Sequence, residues 1–584
     1  MSAAWQWGPR QVAAGITRFP LWAPDCDAVA LEVDGLAPLP MTGLPDGWFT
    51  ADAPVGPGAR YRFRVKPGLA VPDPASRRQA VDVHGASVVP AQGFAWRHEG
   101  WAGRPWHEAV IQEVHVGAMG GFAGVEAALP RLRDLGVTAI ELMPVAAFPG
   151  ARNWGYDGVL PFAPHPGYGT PEALKRLVDT AHGLGLMMLL DVVYNHFGPD
   201  GAYLHAYARR FFDAARETGW GAAIDFRQPA VAAYFEENAR YWLEEFRFDG
   251  LRFDAVHAIA PQSWLRDLAP KLRAACPGRH IHLVLENEHN AASLLRADAA
   301  ALGFDAQWND DGHNALHALL TGERESYYAP FADDPAGKVA RALAEGFVFQ
   351  GAPAPRGEPS AHLPPTAFVL FLQNHDQVGN RAFGERLGPL APAPALAAAT
   401  ALLLLAPQIP LLFMGDEWGA TTPFLFFTDH NPDLAPLVRE GRRREFARFA
   451  AFADPDLRQR IPDPNAVTTF AASIPHAMEA ARPPHDAILA LHRRLLALRH
   501  ASIVPRLPGS QALGAAAIGP AAVLARWRLG DGAVLTIATN TGGAPVACQA
   551  AGVPLFEGAP GAAASLAGGS LPGFCTVALL EPAP

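Results

Sequence analysis

Cysteine is scarce in this sequence, with only 4 among 584 residues. Cys26, Cys276, Cys548 and Cys575 lie far apart, in none of the short spacings that bind a metal ion. So few cysteines in so long a chain exclude a disulfide framework. We therefore expect four buried free thiols and no metal site.

Charged residues are also few, at 18% of the chain, whereas 50% of the residues are apolar. A chain of this composition buries a large core, which excludes a disordered or fibrous protein. The 47 basic and 57 acidic residues give a net charge of −10, which repels nucleic acid and anionic membranes. We therefore expect neither as a partner.

Two further absences concern export and membranes. Residues 1–20 show no basic start followed by an apolar run, so no secretory signal is visible and we expect a cytoplasmic protein. Residues 396–414 are apolar over the length of a membrane span, but Pro407, Gln408 and Pro410 interrupt them. We interpret this stretch as a buried helix followed by a buried strand.

The length predicts two or three domains. Residues 1–103 alternate short apolar runs with Pro and Gly turns, which is typical of a small β-sandwich. Residues 501–584 contain two apolar runs around a Leu-Gly-Asp-Gly turn at 529–532, which predicts a hairpin in a carboxyl-terminal β domain. Residues 104–500 remain as the central domain.

Short apolar runs alternate with helical segments through this central region. Eight runs are candidate strands: residues 110–116, 137–144, 186–193, 249–256, 281–286, 304–308, 367–372 and 409–414. Eight strand and helix pairs predict an α/β fold, the (β/α)₈ TIM barrel. The alternative, a doubly wound sheet, needs a Gly-rich phosphate loop after its first strand, and residues 116–121 (VGAMGG) lack the required spacing.

Polar side chains stand at the ends of four candidate strands, where a barrel enzyme places its chemistry. They are His196 after the third strand, Arg252 and Asp254 at the end of the fourth, Glu286 at the end of the fifth, and His375 and Asp376 after the seventh. Each carboxylate alone is explained equally well by a helix cap or an ion pair. Three carboxylates that converge at the mouth of the barrel, where the carboxyl ends of its strands meet, indicate a reaction that transfers protons or develops charge. A metal centre is the rival explanation, but no His-x-His or cysteine pair supplies its spacing.

These segments resemble the four motif regions of the α-amylase superfamily of glycoside hydrolases, in the same order along the chain. The segments are residues 191–196 (DVVYNH), residues 249–256 (DGLRFDAV), the strand-terminal Glu286, and residues 374–376 (NHD). The resemblance implies that Asp254 is the nucleophile, Glu286 the general acid and base, and Asp376 the stabiliser of the transition state. We expect the amino-terminal β-sandwich at residues 1–103 to be a carbohydrate-binding-module-like domain.

Within the superfamily the likeness sharpens to the maltooligosyltrehalose trehalohydrolases. The segments that carry it are residues 141–145 (ELMPV), 153–158 (NWGYDG), 305–311 (DAQWNDD), 373–381 (QNHDQVGNR) and 423–430 (PFLFFTDH), with residues 21–24 (LWAP) and 72–77 (PDPASR) near the start. One segment departs from the family pattern, because residues 285–288 read Leu-Glu-Asn-Glu where Ala-Glu-Asn-Asp is expected. Glu286 is kept, but the residues next to it in the sequence differ from the family pattern.

The resemblance also implies a set of substrate-binding residues. His196 and His375 are expected to donate hydrogen bonds to hydroxyls of the reacting sugar, and Tyr156 to stack on its apolar face. Arg252 is expected to face the mouth beside Asp254, since alternate residues of a strand point to the same side. The remaining expected contacts are His257, Asn309, Asp310, His313, Gln377 and Asn380.

Hydrolysis of an acetal between sugars needs a proton for the leaving oxygen and a negative charge beneath the ring. We therefore expect Glu286 to stay protonated at neutral pH through burial, and the carboxyl groups of Asp254 and Glu286 to lie about 5 to 5.5 Å apart, as retention of configuration requires. The expected substrate is a maltooligosyltrehalose or a related α-glucan, cut at the α-1,4 bond next to its terminal trehalose. We expect no cofactor, and a functional link to a synthase that makes the substrate.

Three alternative functions remain at this point. A glycogen branching enzyme shares the barrel and the amino-terminal sandwich but transfers the glycosyl group to another sugar. Another amylase-type glucan hydrolase would share the same three carboxylates. A catalytically inactive glucan-binding protein is disfavoured because all three carboxylates are present.

Overall fold

The computed structural model describes residues 6–91, 93–218, 221–296, 303–351, 357–449, 452 and 454–583. Within these residues, no helix is both long and apolar enough to cross a bilayer. The apolar stretch at 396–414 forms a buried helix and a buried strand, Ala393–Leu405 and Ile409–Phe413, as predicted.

Short strands near the amino terminus form two antiparallel sheets. They are β1 (Arg10–Ala13), β2 (Ile16–Trp22), β3 (Ala30–Val33), β4 (Leu39–Pro40), β5 (Thr42–Gly43), β6 (Trp48–Ala53), β7 (Arg60–Lys66), β8 (Leu69–Val71) and β9 (Ser87–Val88). The strand orders are β1-β2-β6-β5 and β4-β3-β7-β8, with β9 paired to β7. On β7, Tyr61, Phe63 and Val65 are buried while the basic residues between them stay partly exposed, which is the period-two pattern of a sandwich strand.

Eight parallel strands close into a barrel, which confirms the predicted fold. These strands are β10 (Ile111–Val114), β11 (Ala139–Leu142), β14 (Met187–Val192), β17 (Gly250–Phe253), β18 (His282–Leu285), β19 (Ala306–Trp308), β20 (Phe368–Phe371) and β21 (Ile409–Phe413), each inside one of the eight predicted runs. Two hairpins stand outside the barrel, β12 (Ala146–Ala147) with β13 (Leu160–Pro164) and β15 (Phe212–Thr218) with β16 (Gly221–Ile224). Barrel strands are buried on both faces, which explains their nearly continuous apolar sequences.

Helices follow most of the barrel strands, and further helices lie after the last strand. Their bounds are α1 (Gly121–Leu135), α2 (Pro171–Gly183), α3 (Pro229–Glu244), α4 (Ser263–Ala275), α5 (Asp310–Thr321), α6 (Pro335–Glu345), α7 (His375–Gly379), α8 (Ala393–Leu405), α9 (Ala435–Phe446), α10 (Pro455–Gln459), α11 (Val467–Ala471) and α12 (His485–Leu498). The short helix α7 carries Asp376 and is separated from the end of β20 by three residues. Its start is fixed by Asn374, whose side-chain oxygen accepts the main-chain N–H groups of Asp376 and Gln377.

The carboxyl-terminal residues form a five-stranded antiparallel sheet in the order β22-β23-β24-β28-β26. The elements here are β22 (Gln511–Gly519), β23 (Ala522–Arg528), β24 (Val534–Asn540), β25 (Val546–Ala547), β26 (Val553–Glu557), α13 (Ala562–Ala567), β27 (Ser570–Leu571) and β28 (Cys575–Glu581). Strands β23 and β24 are the predicted hairpin. Helical turns continue from α12 through residue 506, across the boundary placed at 500/501. The two domain boundaries stay predictions.

All four cysteines are free, as predicted, but only two of them are buried. Cys276 and Cys575 are buried, whereas Cys26 and Cys548 are partly exposed. The expectation of four buried thiols is wrong for these two, because Cys26 lies in the connection between β2 and β3 and Cys548 directly follows the two-residue strand β25, whereas Cys575 begins the buried strand β28.

Candidate active site

The three predicted catalytic carboxylates come from the carboxyl ends of three barrel strands. Asp254 directly follows β17, Glu286 directly follows β18, and Asp376 lies on α7 after β20. The charges of Asp254, Asp310 and Asp376 each raise the pKa of Glu286, so all four side chains lie within electrostatic reach of one another. The barrel therefore gathers them at one mouth.

Arg252 is the central cation of this site and is completely buried. Its Nη1 lies 2.9 Å from Asp191 Oδ2 and 2.8 Å from Asp254 Oδ1, and its Nη2 lies 3.7 Å from Glu286 Oε2. The guanidinium carbon lies 4.2 Å from the centre of the Trp308 ring, a cation–π contact. Because it neutralises several carboxylates at once, Arg252 allows them to share a buried space.

Asp254 is held at both carboxylate oxygens. Arg252 donates to Oδ1, and the Asn195 amide donates to Oδ2 at 3.0 Å. Asp254 keeps 9% of its surface exposed. A carboxylate fixed in this way and open on one side is suited to act as a nucleophile.

Glu286 is tied to the residue after the nucleophile. The main-chain N–H of Ala255 donates to Glu286 Oε2 at 2.5 Å, and Ala255 has a left-handed backbone conformation with φ of 41°. Burial raises the pKa of Glu286 to about 8, against the opposing effect of Arg252 and with a further contribution from Asp254. At neutral pH this carboxyl group therefore carries a proton that it can donate.

Asp376 is the most open of the three, with 42% of its side chain exposed. Asn380 Nδ2 donates to its Oδ1 at 3.2 Å, and His375 Nε2 lies 3.4 Å from the same oxygen. The carboxylate stands at the surface of the mouth, where it can accept hydrogen bonds from hydroxyl groups of a ligand.

His375 is buried, with 1% of its surface exposed, and both of its ring nitrogens have protein partners. Nδ1 lies 2.5 Å from Glu113 Oε1, and Nε2 lies 2.8 Å from the Tyr156 hydroxyl, which donates to Asp191 Oδ2 at 2.6 Å. Burial lowers the pKa of His375, but the charges of Asp376 and Glu113 outweigh it and raise the pKa to about 9. A sugar hydroxyl would have to replace Tyr156 at Nε2 to bond this ring.

His196 is similarly occupied and has 5% of its surface exposed. Its Nδ1 lies 2.6 Å from Asn195 Oδ1 and its Nε2 lies 2.9 Å from the Tyr156 carbonyl oxygen. The Tyr156 ring itself stacks on His375, with ring centres 5.2 Å apart. The two histidines and the tyrosine thus form one wall of the mouth, and the predicted sugar contacts of all three stay predictions.

The other predicted substrate contacts divide into two groups. Asp310 begins α5 and is partly exposed, and burial raises its pKa to about 7. Gln377, Asn380 and His257 are also at least partly exposed, the first two beside Asp376 and the third in the turn after β17.

Asn309 and His313 form the second group, because they are buried. Asn309 caps α5: its Oδ1 accepts the Gly312 N–H at 3.0 Å, and its Nδ2 donates to the Gly346 carbonyl at 2.8 Å. His313 is stacked on Phe371 and has no exposed surface. The structure does not bring these two side chains to the mouth, because the first turn of α5 directs them inward.

Three residues at the site were not among the predicted ones: Asp191, Asn195 and Glu113. Asp191 and Asn195 lie in the motif at 191–196, and Asp191 bonds both Arg252 and Tyr156. Burial raises the pKa of Asp191 to about 7, although Arg252 opposes the rise. The signal for Glu113 was a charged residue inside the apolar first strand, since buried glutamates are rare unless they are paired.

Comparison of the sequence with known proteins identifies the family of this chain. A model described as alpha amylase, catalytic domain, matches residues 93–220, and a domain of unknown function (DUF3459) matches residues 510–578. The malto-oligosyltrehalose trehalohydrolase of Deinococcus radiodurans is 41% identical over 497 residues, which cover 83% of this chain and 81% of that protein. The enzyme of the same name from Arthrobacter ramosus is 41% identical over 507 residues, which cover 82% of this chain and 87% of that protein.

Two solved structures share the fold of this chain. The crystal structure of a putative alpha amylase from Salmonella typhimurium superposes with a TM-score of 0.93 at 44% identity, covering 99% of this chain and all of that one. A pullulanase from Paenibacillus barengoltzii shares the fold, with a TM-score of 0.72 at 20% identity over 99% of this chain and 95% of that one. The chain belongs to the malto-oligosyltrehalose trehalohydrolase family of the α-amylase superfamily of glycoside hydrolases.

Proposed function

We propose that this protein hydrolyses the α-1,4-glucosidic bond next to the terminal trehalose of a maltooligosyltrehalose and so releases trehalose. The observation that carries the proposal is the position of Glu286 beside an Arg252-bound Asp254, in a chain 41% identical to enzymes with this name. Burial raises the pKa of Glu286 to about 8, which favours its protonated form at neutral pH. An acid that holds its proton at neutral pH beside an ionised carboxylate is the pair that glycoside hydrolysis requires.

The reaction proceeds by double displacement with retention of configuration. Asp254 attacks the anomeric carbon while Glu286 gives its proton to the leaving glycosidic oxygen, so that trehalose departs and a covalent glycosyl-Asp254 ester forms. Glu286, now a carboxylate, takes a proton from water, whose oxygen attacks the same carbon and breaks the ester. Both groups are then restored, and no electrons are exchanged with a cofactor.

Asp376 stabilises the transition state of both steps. As the sugar ring flattens, its hydroxyl groups move, and a carboxylate at the mouth binds them more tightly than in the ground state. Its 42% exposure leaves the required lone pairs open to the ligand.

Specificity for trehalose depends on groups beyond the point of cleavage. Trehalose is joined α,α-1,1, so its second glucose presents a ring at a different angle from the next unit of a maltooligosaccharide. We assign its recognition to the loops after β19, β20 and β21, around Asp310, Gln377, Asn380 and residues 424–430. A substrate that leaves a buried polar group there unpaired loses roughly 1 to 3 kcal/mol for each such group.

We further propose a cytoplasmic location and a functional link to a synthase that supplies the maltooligosyltrehalose. The net charge of −10 supports the absence of nucleic acid and of anionic membranes as partners.

The test is incubation with a maltooligosyltrehalose and with a maltooligosaccharide of equal length, followed by product analysis. We expect kcat/KM to be about ten- to a hundred-fold higher for the first substrate, because one or two unpaired groups cost this much. Free trehalose should be the product. Asp254→Asn, which keeps the size of the side chain and removes the nucleophile, is the control for contaminating activity.

Two results would overturn the proposal. Equal efficiency on both substrates would leave an amylase-type glucan hydrolase. New α-1,6 branches formed from amylose would identify a branching enzyme, which is also the name of a more distant relative from Burkholderia thailandensis, 31% identical over 50% of this chain.

A further inference from the structure

A continuous chain of hydrogen bonds runs beneath the mouth, from the first barrel strand to the nucleophile. Its members in order are Glu113, His375, Tyr156, Asp191, Arg252 and Asp254. The successive distances are 2.5 Å, 2.8 Å, 2.6 Å, 2.9 Å and 2.8 Å. No step of the reaction proposed above uses Glu113, which lies at the far end of the chain on β10.

Glu113 makes two bonds to one residue. Its Oε1 faces the ring nitrogen Nδ1 of His375, and its Oε2 accepts the main-chain N–H of His375 at 3.0 Å. Glu113 is 1% exposed, so water cannot replace either bond from bulk solvent. The second bond fixes the peptide between Asn374 and His375, at the start of α7 and one residue before Asp376.

The donors along this chain can be counted. The Tyr156 hydroxyl has one proton, and Asp191 already accepts from Arg252. If Tyr156 donates to Asp191, then its oxygen accepts from His375 Nε2, which must carry a proton. Since Nδ1 donates to Glu113, His375 is then an imidazolium. In the opposite arrangement Asp191 is protonated and donates to Tyr156, and Tyr156 donates to a neutral His375. The direction of these two hydrogen bonds is then reversed.

We propose that Glu113 is a positioning residue for the glycosidase reaction. By accepting both N–H groups of His375 it keeps the ring a cation that donates to Tyr156. It thereby holds Asp191, Arg252 and Asp254 in place and fixes the turn that carries Asp376. This inference rests on the proposed function of Asp254 as nucleophile.

The electrostatics of the surroundings agree with this arrangement. The titratable and charged groups that act on His375 from the packed elements are Glu113, His115, Glu141, Tyr156, Asp191, Arg252, Asp310 and Asp376. Burial and Arg252 lower the pKa of His375, but the charge of Asp376 and the charge and hydrogen bond of Glu113 outweigh them and raise it to about 9. Glu113 makes the shorter of the two carboxylate contacts with the ring, at 2.5 Å from Nδ1, whereas Asp376 Oδ1 lies 3.4 Å from Nε2.

The primary test compares Glu113→Gln with Glu113→Asp. A glutamine has one acceptor oxygen where the glutamate has two, so one of the two N–H groups of His375 is left without an acceptor. The charge that favours the imidazolium is also lost. Aspartate keeps the charge and both oxygens and is one methylene shorter.

We expect Glu113→Gln to lower kcat at least tenfold with a change of less than about threefold in KM, since the lost positioning acts on the transition state. Glu286, with a pKa of about 8, sets the alkaline limb of the wild-type pH–rate profile. Losing a neighbouring opposite charge usually lowers a pKa by about 1 to 3, so the pKa of His375 should fall from about 9 to the value of Glu286 or below it. The alkaline limb of Glu113→Gln should therefore move down by up to about 2 pH units. Glu113→Asp should recover the position of the limb and part of kcat.

Glu417→Gln is the matched control. Glu417 is also 1% exposed and also accepts from a cation and a main-chain N–H, with Arg131 at 2.7 Å and Gly415 at 2.9 Å. It lies outside the hydrogen-bond chain, so its variant should keep kcat within about twofold and the alkaline limb unchanged. A wild-type limb and a kcat within about twofold in Glu113→Gln would overturn the inference.

A second measurement needs only the unmodified protein and one assignment variant. In ¹⁵N-histidine NMR, the ring signal absent from His375→Gln should report an imidazolium at pH 7.5, with both nitrogens protonated. A neutral ring at that pH would overturn the inference even if Glu113→Gln failed to fold. Inactivity of the wild type on every α-glucan would refute the proposed function, whereas this ring signal is independent of the substrate.

Discussion

Replacing Glu286 with glutamine tests the assignment of the acid most directly. The structure predicts that the variant keeps its fold and its binding, because the amide oxygen of glutamine can still accept the Ala255 N–H that now lies 2.5 Å from Glu286 Oε2. The amide has no acidic proton to give to the leaving oxygen. The variant should therefore still bind the substrate but cleave it much more slowly.

The size of the effect follows from the loss of general acid catalysis, which contributes about 10²- to 10⁴-fold. At 1.36 kcal/mol for each tenfold change, the barrier rises by about 3 to 5 kcal/mol. We expect kcat on maltooligosyltrehalose to fall by that factor, with KM changed less than about threefold.

The assay compares the natural substrate with an α-maltosyl fluoride, whose leaving group needs little protonation. The variant should form its glycosyl-enzyme from the fluoride at nearly the wild-type rate and then accumulate it, because no carboxylate remains to activate water. Mass spectrometry of the intact protein should detect the covalent sugar, and Asp254→Asn should show none. If Glu286→Gln cleaved the natural substrate at the wild-type rate, or if the fluoride gave no recovery, Glu286 would not be the acid.

Three further predictions concern stereochemistry, stability and charge. The first product that carries the cut end should have the α configuration by NMR, and a crystal structure should show the carboxyl groups of Asp254 and Glu286 about 5 to 5.5 Å apart; a β product would refute the double displacement. Since the pKa of Glu286 is raised from 4.5 to about 8 in the folded state, folding favours its protonated form, and the wild-type free energy of unfolding should fall as pH rises from about 4.5 to 8. Urea denaturation at pH 5 and pH 9 should show a smaller fall in the free energy of unfolding for Glu286→Gln than for the wild type. The difference between the two falls should be at most about 5 kcal/mol, and equal falls would contradict the raised pKa. Arg252→Met should lower the free energy of unfolding by about 3 to 5 kcal/mol, because Asp191 and Asp254 lose a buried cation; an unchanged midpoint of denaturation would contradict this.

The barrel was predictable from the sequence because a parallel strand that is buried on both faces consists of a short, nearly unbroken run of apolar residues. Asp254 and Glu286 were recognisable for a related reason, since a charged residue that ends such a run has to stand at the rim. The sequence does not give the orientation of a side chain that depends on the next element. Asn309 and His313 sit in a polar segment after β19, but the cap and first turn of α5 direct them into the core.

Glu113 was missed for the opposite reason. It lies inside a strand rather than at its end, and a pattern of apolar runs treats one charged residue there as an interruption. Only the closed barrel shows that its partner is His375, the first residue of α7, far along the chain. The partial exposure of Cys26 and Cys548 was likewise not predictable from the sequence. Scarcity of cysteine predicts free thiols, but the burial of each thiol depends on the residues packed around it.

The bond between Glu113 and His375 joins residues separated by 262 positions in the chain. During synthesis, the first barrel strand emerges with its glutamate long before its partner exists, and a buried carboxylate without a partner is costly. The amino-terminal part of the barrel therefore cannot settle into its final packing until the strand before His375 has been made and inserted. Closure of the barrel and assembly of the active site are one event, and we expect fragments that end before residue 375 to be trapped in an open, aggregation-prone state rather than to fold as partial barrels.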